Sequence, residues 1–147
     1  MDILSKLSER LKEVMFDRGL NAPALSKLID IKSNTITRYL KGTSYPNFEK
    51  FILLIDFFHC SADFLLGLSD DPRYQANYLP VPLFCENFRS VLQENNLSQY
   101  AVQKATKISW ANFHFWLSGK RKPYPDNLIK LANAMDISVD YLLGRRK

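Results

Sequence analysis

Cysteine, histidine and glycine are scarce in this chain, and each shortage closes a class of function. The 147 residues include two Cys, two His and five Gly. Cys60 and Cys85 form no CxxC pair, so neither a zinc site nor a disulfide framework is encoded. Buried thiols in a reducing cytoplasm are the expectation, with a single Cys60–Cys85 disulfide as the lesser alternative. His59 and His114 lack a carboxylate, cysteine or serine at the spacing of a metal site or catalytic triad. The glycines are dispersed as helix stops and form no phosphate-binding loop. Long apolar runs are missing too. The longest, "FILLI" at 51–55, is stopped by Asp56, far short of a bilayer span. Asp2, Lys6 and Glu9 interrupt the N-terminus where a signal peptide needs unbroken apolar sequence. The reading is a soluble cytoplasmic protein that is not an enzyme, with no metal, no cofactor, no membrane partner and no small-molecule ligand.

What is present suits a packed core, since 46% of the residues are hydrophobic. The net charge of +5 permits an acidic partner without naming one, and its distribution is more informative. Residues 1–70 hold nine Lys/Arg and nine Asp/Glu, whereas residues 71–147 hold eleven and six. The whole excess lies in the second half.

The chain is an internal duplication. A gapless shift of 77 residues aligns 7–70 with 84–147 and yields 16 identities in 64 pairs. Leu20/Leu97, Ala24/Ala101, Ile31/Ile108, Leu40/Leu117, Gly42/Gly119 and Pro46/Pro123 are among them, and "SADFLLG" at 61–67 faces "SVDYLLG" at 138–144. Chance does not preserve glycine, proline and cap together. Between the copies, "SDDPRYQANYLPVP" at 69–82 has three prolines and no periodicity, the mark of a fairly stiff linker. The division is a first domain at 1–69, a linker at 70–82 and a second domain at 83–147.

Each copy reads as five short helices, and no strand pattern occurs, so the fold class is all-α. Leu4, Leu7, Leu11, Val14 and Met15 recur at helical spacing before Gly19. Asn21 caps a second helix with Pro23 in its first turn, and Leu25 and Leu28 are expected inward. A third helix runs from about Ser33 to Lys41 and stops at Gly42. Pro46 and Asn47 open a fourth, with Phe48, Phe51, Ile52, Ile55 and Phe58 as its inner stripe. Ser61 caps a fifth.

Helices two and three, joined by a short turn, form a helix-turn-helix layout. The unit resembles the DNA-binding domain of phage lambda repressor and Cro-like regulators, the XRE family. The residues that carry the resemblance are "GLNAPALSKLIDIKSNTITRYLKGTSYP" at 19–46 and "NLSQYAVQKATKISWANFHFWLSGKRKP" at 96–123, each followed by the matching C-terminal segment. The resemblance implies that helix three lies in the major groove of duplex DNA while helix two crosses the backbone. It also implies an early glutamine in helix two that donates to phosphate. The first copy has Ala22 there, and the second keeps Gln99.

The residues themselves fit such a role in the first copy. With Ile36, Tyr39 and Leu40 turned inward, Asn34, Thr37, Arg38 and Lys41 share the opposite face, polar, basic and free of acid. Asn pairs with adenine, Arg or Lys with guanine, and a Thr methyl meets thymine. Ser33 and Thr35 at the helix start suit phosphate or base edges. Thr43, Ser44 and Tyr45 follow in a loop that can donate to phosphates.

The second copy differs. Phe113, Trp116 and Leu117 take the core positions, which puts Trp110, His114 and Phe115 on the outward face beside Ala111 and Ser118. Exposed aromatics usually mark an interface, whereas duplex bases present edges rather than faces. Three readings stay open: a protein interface, most simply a homodimer contact; a DNA reader of unusual chemistry; or aromatics tucked against the linker or the first copy. Lys120, Arg121 and Lys122 in the following loop can grip phosphate, and Arg145, Arg146 and Lys147 read as a basic tail. The function expected is a sequence-specific duplex DNA-binding transcriptional regulator acting as a homodimer. The alternative is a protein-interaction module, antitoxin-like or anti-repressor, that keeps the fold without reading DNA.

Overall fold

A computed structural model describes residues 5–71 and 80–145. Most of the 70–82 linker, together with Arg146 and Lys147, therefore lies outside the described residues, as does Leu4. The chain divides into two compact units, Met1–Gln75 and Ala76–Lys147.

The first unit contains α1 (Ser5–Asp17), α2 (Ala22–Leu28), α3 (Ser33–Lys41), α4 (Phe48–Phe58) and α5 (Ala62–Leu65). Local chemistry places most of their ends. The Asn21 side chain accepts from the Ala24 N–H, Asn47 from Lys50 and Ser61 from Phe64, at 2.9–3.0 Å. Each thus satisfies one of the amides that a first helical turn leaves open. Gly42, at φ 73°, ends α3 in the left-handed conformation, which glycine adopts without a Cβ clash. His59 ends α4 in the same conformation, at φ 49°. Leu7, Leu11, Leu25, Ile36, Phe51, Leu54, Ile55 and Leu65 form the dry centre.

The second unit repeats the plan with α6 (Phe84–Glu94), α7 (Gln99–Thr106), α8 (Trp110–Ser118), α9 (Pro125–Met135) and α10 (Val139–Leu142). Ser98, Ser109 and Ser138 cap α7, α8 and α10. In its core Phe84, Phe88, Phe113 and Trp116 follow one another with ring centroids 5.3–5.9 Å apart. Asp136, aligned with His59, ends α9 at φ 55°, so the duplication preserved a non-glycine stop. All ten elements of the described residues are helices, and the fold is all-α in two tandem copies.

Four inward assignments and one outward one change in the structure. Leu28 is 59% exposed at the end of α2. Ile52, Leu40 and Leu117 are half-buried, and Leu54 fills the place in the α4 stripe expected for Ile52. Helical spacing locates the apolar arc, but its edges depend on how far the neighbouring helices reach round it. Arg145 is wholly buried rather than part of a basic tail. Its backbone N–H closes a turn on the Asp140 carbonyl at 3.0 Å, which carries the side chain back into the unit.

Candidate nucleic-acid interface

In the first unit, α3 is held from behind. The buried Ser8 hydroxyl of α1 donates to the Tyr39 carbonyl at 2.8 Å, while Ile36 and Tyr39 are buried against the core. Gly42 sits in the same corner, where an added Cβ would lie 3.3 Å from Ser8 Oγ. This fixed inner edge turns the opposite edge outward. Asn34, Arg38 and Lys41 are exposed, and Ser33, Thr35 and Thr37 are half-buried. No acid lies between Lys32 and Pro46.

Hydrogen bonds limit what each side chain can offer. Thr37 Oγ1 donates to the Ser33 carbonyl at 3.0 Å, so its oxygen is left only to accept and its methyl to make apolar contact. Arg38 reaches Thr35 Oγ1 at 3.4 Å, a weak tether that leaves the exposed guanidinium free to meet a ligand. Thr43 folds back on the Arg38 carbonyl through both its N–H and its hydroxyl, at 3.1 and 3.3 Å. Its hydroxyl proton is therefore engaged within the loop. Ser44 and Tyr45 are half-buried beside it. The N-cap of α3 is Lys32, whose side chain makes no capping bond, and Ala22, buried at the start of α2, offers no amide where the resemblance implies a glutamine.

The second unit builds the corresponding surface from different groups. Ser109 accepts from the Asn112 N–H at 3.2 Å and closes the first turn of α8. Gln99, half-buried, is the first residue of α7 behind its Ser98 cap. Trp110 is 54% exposed and His114, one turn on, is exposed. Phe115, by contrast, is only half-open. The Arg121 guanidinium lies 4.5 Å from its ring centroid, and the Arg121 N–H donates to its carbonyl at 3.3 Å. Such a cation–π pair contributes about 0.5–1 kcal/mol at an exposed site. The loop arginine and the helical phenylalanine thus occupy the places held in the first unit by Ser44 and Arg38; the cation has moved from helix to loop. Sequence pattern alone separated these two residues and missed their contact. Lys120 and Arg121 are exposed, and Lys122 is half-buried.

Cys60 is a buried thiol and Cys85 a half-buried one set against Gly119, neither of them in a disulfide. No group of His, Cys, Asp and Glu among the described residues is placed to hold a metal ion, and no described helix is long and apolar enough to cross a membrane. A family model for the Cro/C1-type HTH DNA-binding domain matches residues 10–71 and, a second time, residues 87–146. No curated protein and no solved structure matches the chain.

Proposed function

The chain belongs to the Cro/C1-type helix-turn-helix DNA-binding family, in two tandem copies, and we propose that it binds duplex DNA sequence-specifically as a cytoplasmic transcriptional regulator, repressor-like in mode. The observation that carries this reading is the exposed, acid-free stripe of Asn34, Arg38 and Lys41 on a helix anchored from its inner side by Ser8. Placed in a major groove, Asn34 pairs with adenine and Arg38 or Lys41 with guanine. Thr37, its proton already given to Ser33, presents a methyl to thymine or accepts from a base amino group. Without a side-chain cap, the opening amides of α3 are available to a phosphate oxygen. Ser33 and Thr35 flank that position, Thr43, Ser44 and Tyr45 offer phosphate contacts from the loop at the other end of α3, and Gln99, Lys120, Arg121 and Lys122 supply backbone contacts from the second unit.

One recognition helix makes few base contacts, so the working form is a homodimer. Two α3 helices related by a twofold axis meet half-sites about 34 Å apart. Selection from random duplex DNA by the full-length protein at moderate salt tests the reading. A palindrome is the expected enrichment, and an asymmetric two-part site would show both units of one chain reading bases. If no sequence is enriched, the proposal fails in favour of an interaction module.

A further inference from the structure

From Asn95 to Pro125, through α7, α8 and both their loops, the second unit carries Lys104, Lys107, Lys120, Arg121 and Lys122 and no Asp or Glu. Within this basic stretch α8 shows a row of flat groups. Trp110 and His114, both exposed, lie at i and i+4 on one side of the helix, about one 5.4 Å turn apart. The His114 and Phe115 ring centroids are 6.2 Å apart, and the Arg121 guanidinium covers Phe115 at 4.5 Å. We infer that this face of the second unit binds nucleic acid with unpaired bases, stacking them on Trp110 and His114 while Lys120 and Arg121 hold the strand's phosphates.

Charge decides the occupant. A second copy docked through the same face would set Lys120 and Arg121 of the two copies against each other with no acid from 95–125 to offset them, and like charges facing across an interface cost several kcal/mol. A nucleic acid answers them directly. The aromatic faces decide its form. A duplex offers base edges in its grooves, to which an indole can give one N–H but on which its flat face cannot stack. Unpaired bases offer faces, and stacking tolerates any sequence because every base has one. Phe115 is then not a stacking group but a positioning residue, since it holds the Arg121 guanidinium beside the row. The inference rests on the assignment of Lys120 and Arg121 to phosphate; it does not depend on what α3 reads.

Fluorescence anisotropy of dye-labelled oligothymidylate, oligouridylate and a mixed-sequence duplex, each titrated with the full-length protein, tests it. We expect a single strand to bind more tightly than the mixed duplex, and whichever of the two strands binds better names DNA or RNA as the source. Trp110→Ala weakens single-strand binding by roughly fivefold to a hundredfold, the range of one stacked base, with helix content unchanged by circular dichroism, while Trp110→Tyr keeps most of it. Replacing Lys120 and Arg121 by Gln flattens the salt dependence by about 1.4 log units per log unit of salt, two single-strand phosphates. Arg38→Ala leaves the single-strand values unaltered, so failure of the α3 reading and failure of this one are seen separately. Equal single-strand binding by Trp110→Ala and the unaltered chain overturns the inference. So does a Trp110→Ala protein that sediments at lower mass without losing affinity, because the face would then be a contact between copies.

Discussion

The Ser8 hydroxyl and the Tyr39 carbonyl meet across 2.8 Å in the interior of the first unit, so the helix proposed to read bases is fastened at its last turn to the first helix of the fold. Removing the donor takes one buried hydrogen bond from a carbonyl that keeps the Gly42 N–H as its other partner, a net cost of about 0.5–1.5 kcal/mol. Ser8→Ala is expected to lower the urea midpoint of the first unit without changing the slope of the transition. An unmoved midpoint would show that the bond adds nothing net.

Arg38 is exposed on α3 and tied only to Thr35. Replacing it with Ala is expected to lower affinity for the selected duplex by about 1–3 kcal/mol and to relax the preference at one base pair. Competition binding against single-base variants of the site measures both. If affinity and preference survive, Arg38 does not read a base.

The two equivalent helices differ at the capping residue before their first turn. Ser109 caps α8, whereas Lys32 leaves α3 without a side-chain cap. Lys32→Ser is expected to stabilise the first unit by about 0.5–1 kcal/mol, and Ser109→Ala to destabilise the second by about 0.5–2 kcal/mol. Calorimetry of the two variants checks the pair. Opposite signs at aligned positions would confirm that the cap is the difference.

Tyr141 donates to the Glu94 carboxylate. That bond, then partial burial and the negative charge of Glu94, hold the phenol above its ordinary value of 10.0, against a smaller lowering effect of Asn95. Folding favours the protonated form, so its contribution is intact below the unfolded value. It is lost as pH rises through the raised folded one. Tyr141→Phe is expected to flatten the alkaline decline in stability above about pH 10, measured by urea unfolding across that range. An unchanged alkaline limb would place the decline elsewhere.

Much of this was legible in the residues, because caps and stops are local. Asn21, Asn47, Ser61 and Gly42 announce helix ends through chemistry that reaches only three or four positions, and the duplication repeats the message. The Ser33–Lys41 bounds of α3 were readable for that reason. What depends on distant neighbours was not. Leu28 and Arg145 exchange the places their chemistry suggests, the leucine at the surface and the arginine inside, because packing against other elements settles each. At the candidate site, the outward stripe of Asn34, Thr37, Arg38 and Lys41 followed from helical spacing. The pairing of Phe115 with Arg121 required the path of the loop after Gly119, which no periodicity encodes.

Both tryptophans of the chain belong to α8, Trp110 at 54% exposure and Trp116 at 3%. An indole in water emits at longer wavelength than one inside a core, so a single helix carries two emitters separable by colour, and the first unit emits no tryptophan light at all. Unfolding followed at these wavelengths registers the second unit alone, whereas ellipticity registers both. Curves that fail to superimpose would mean that the two halves melt as separate cooperative bodies, and the gap between them measures that independence without a label or a truncation.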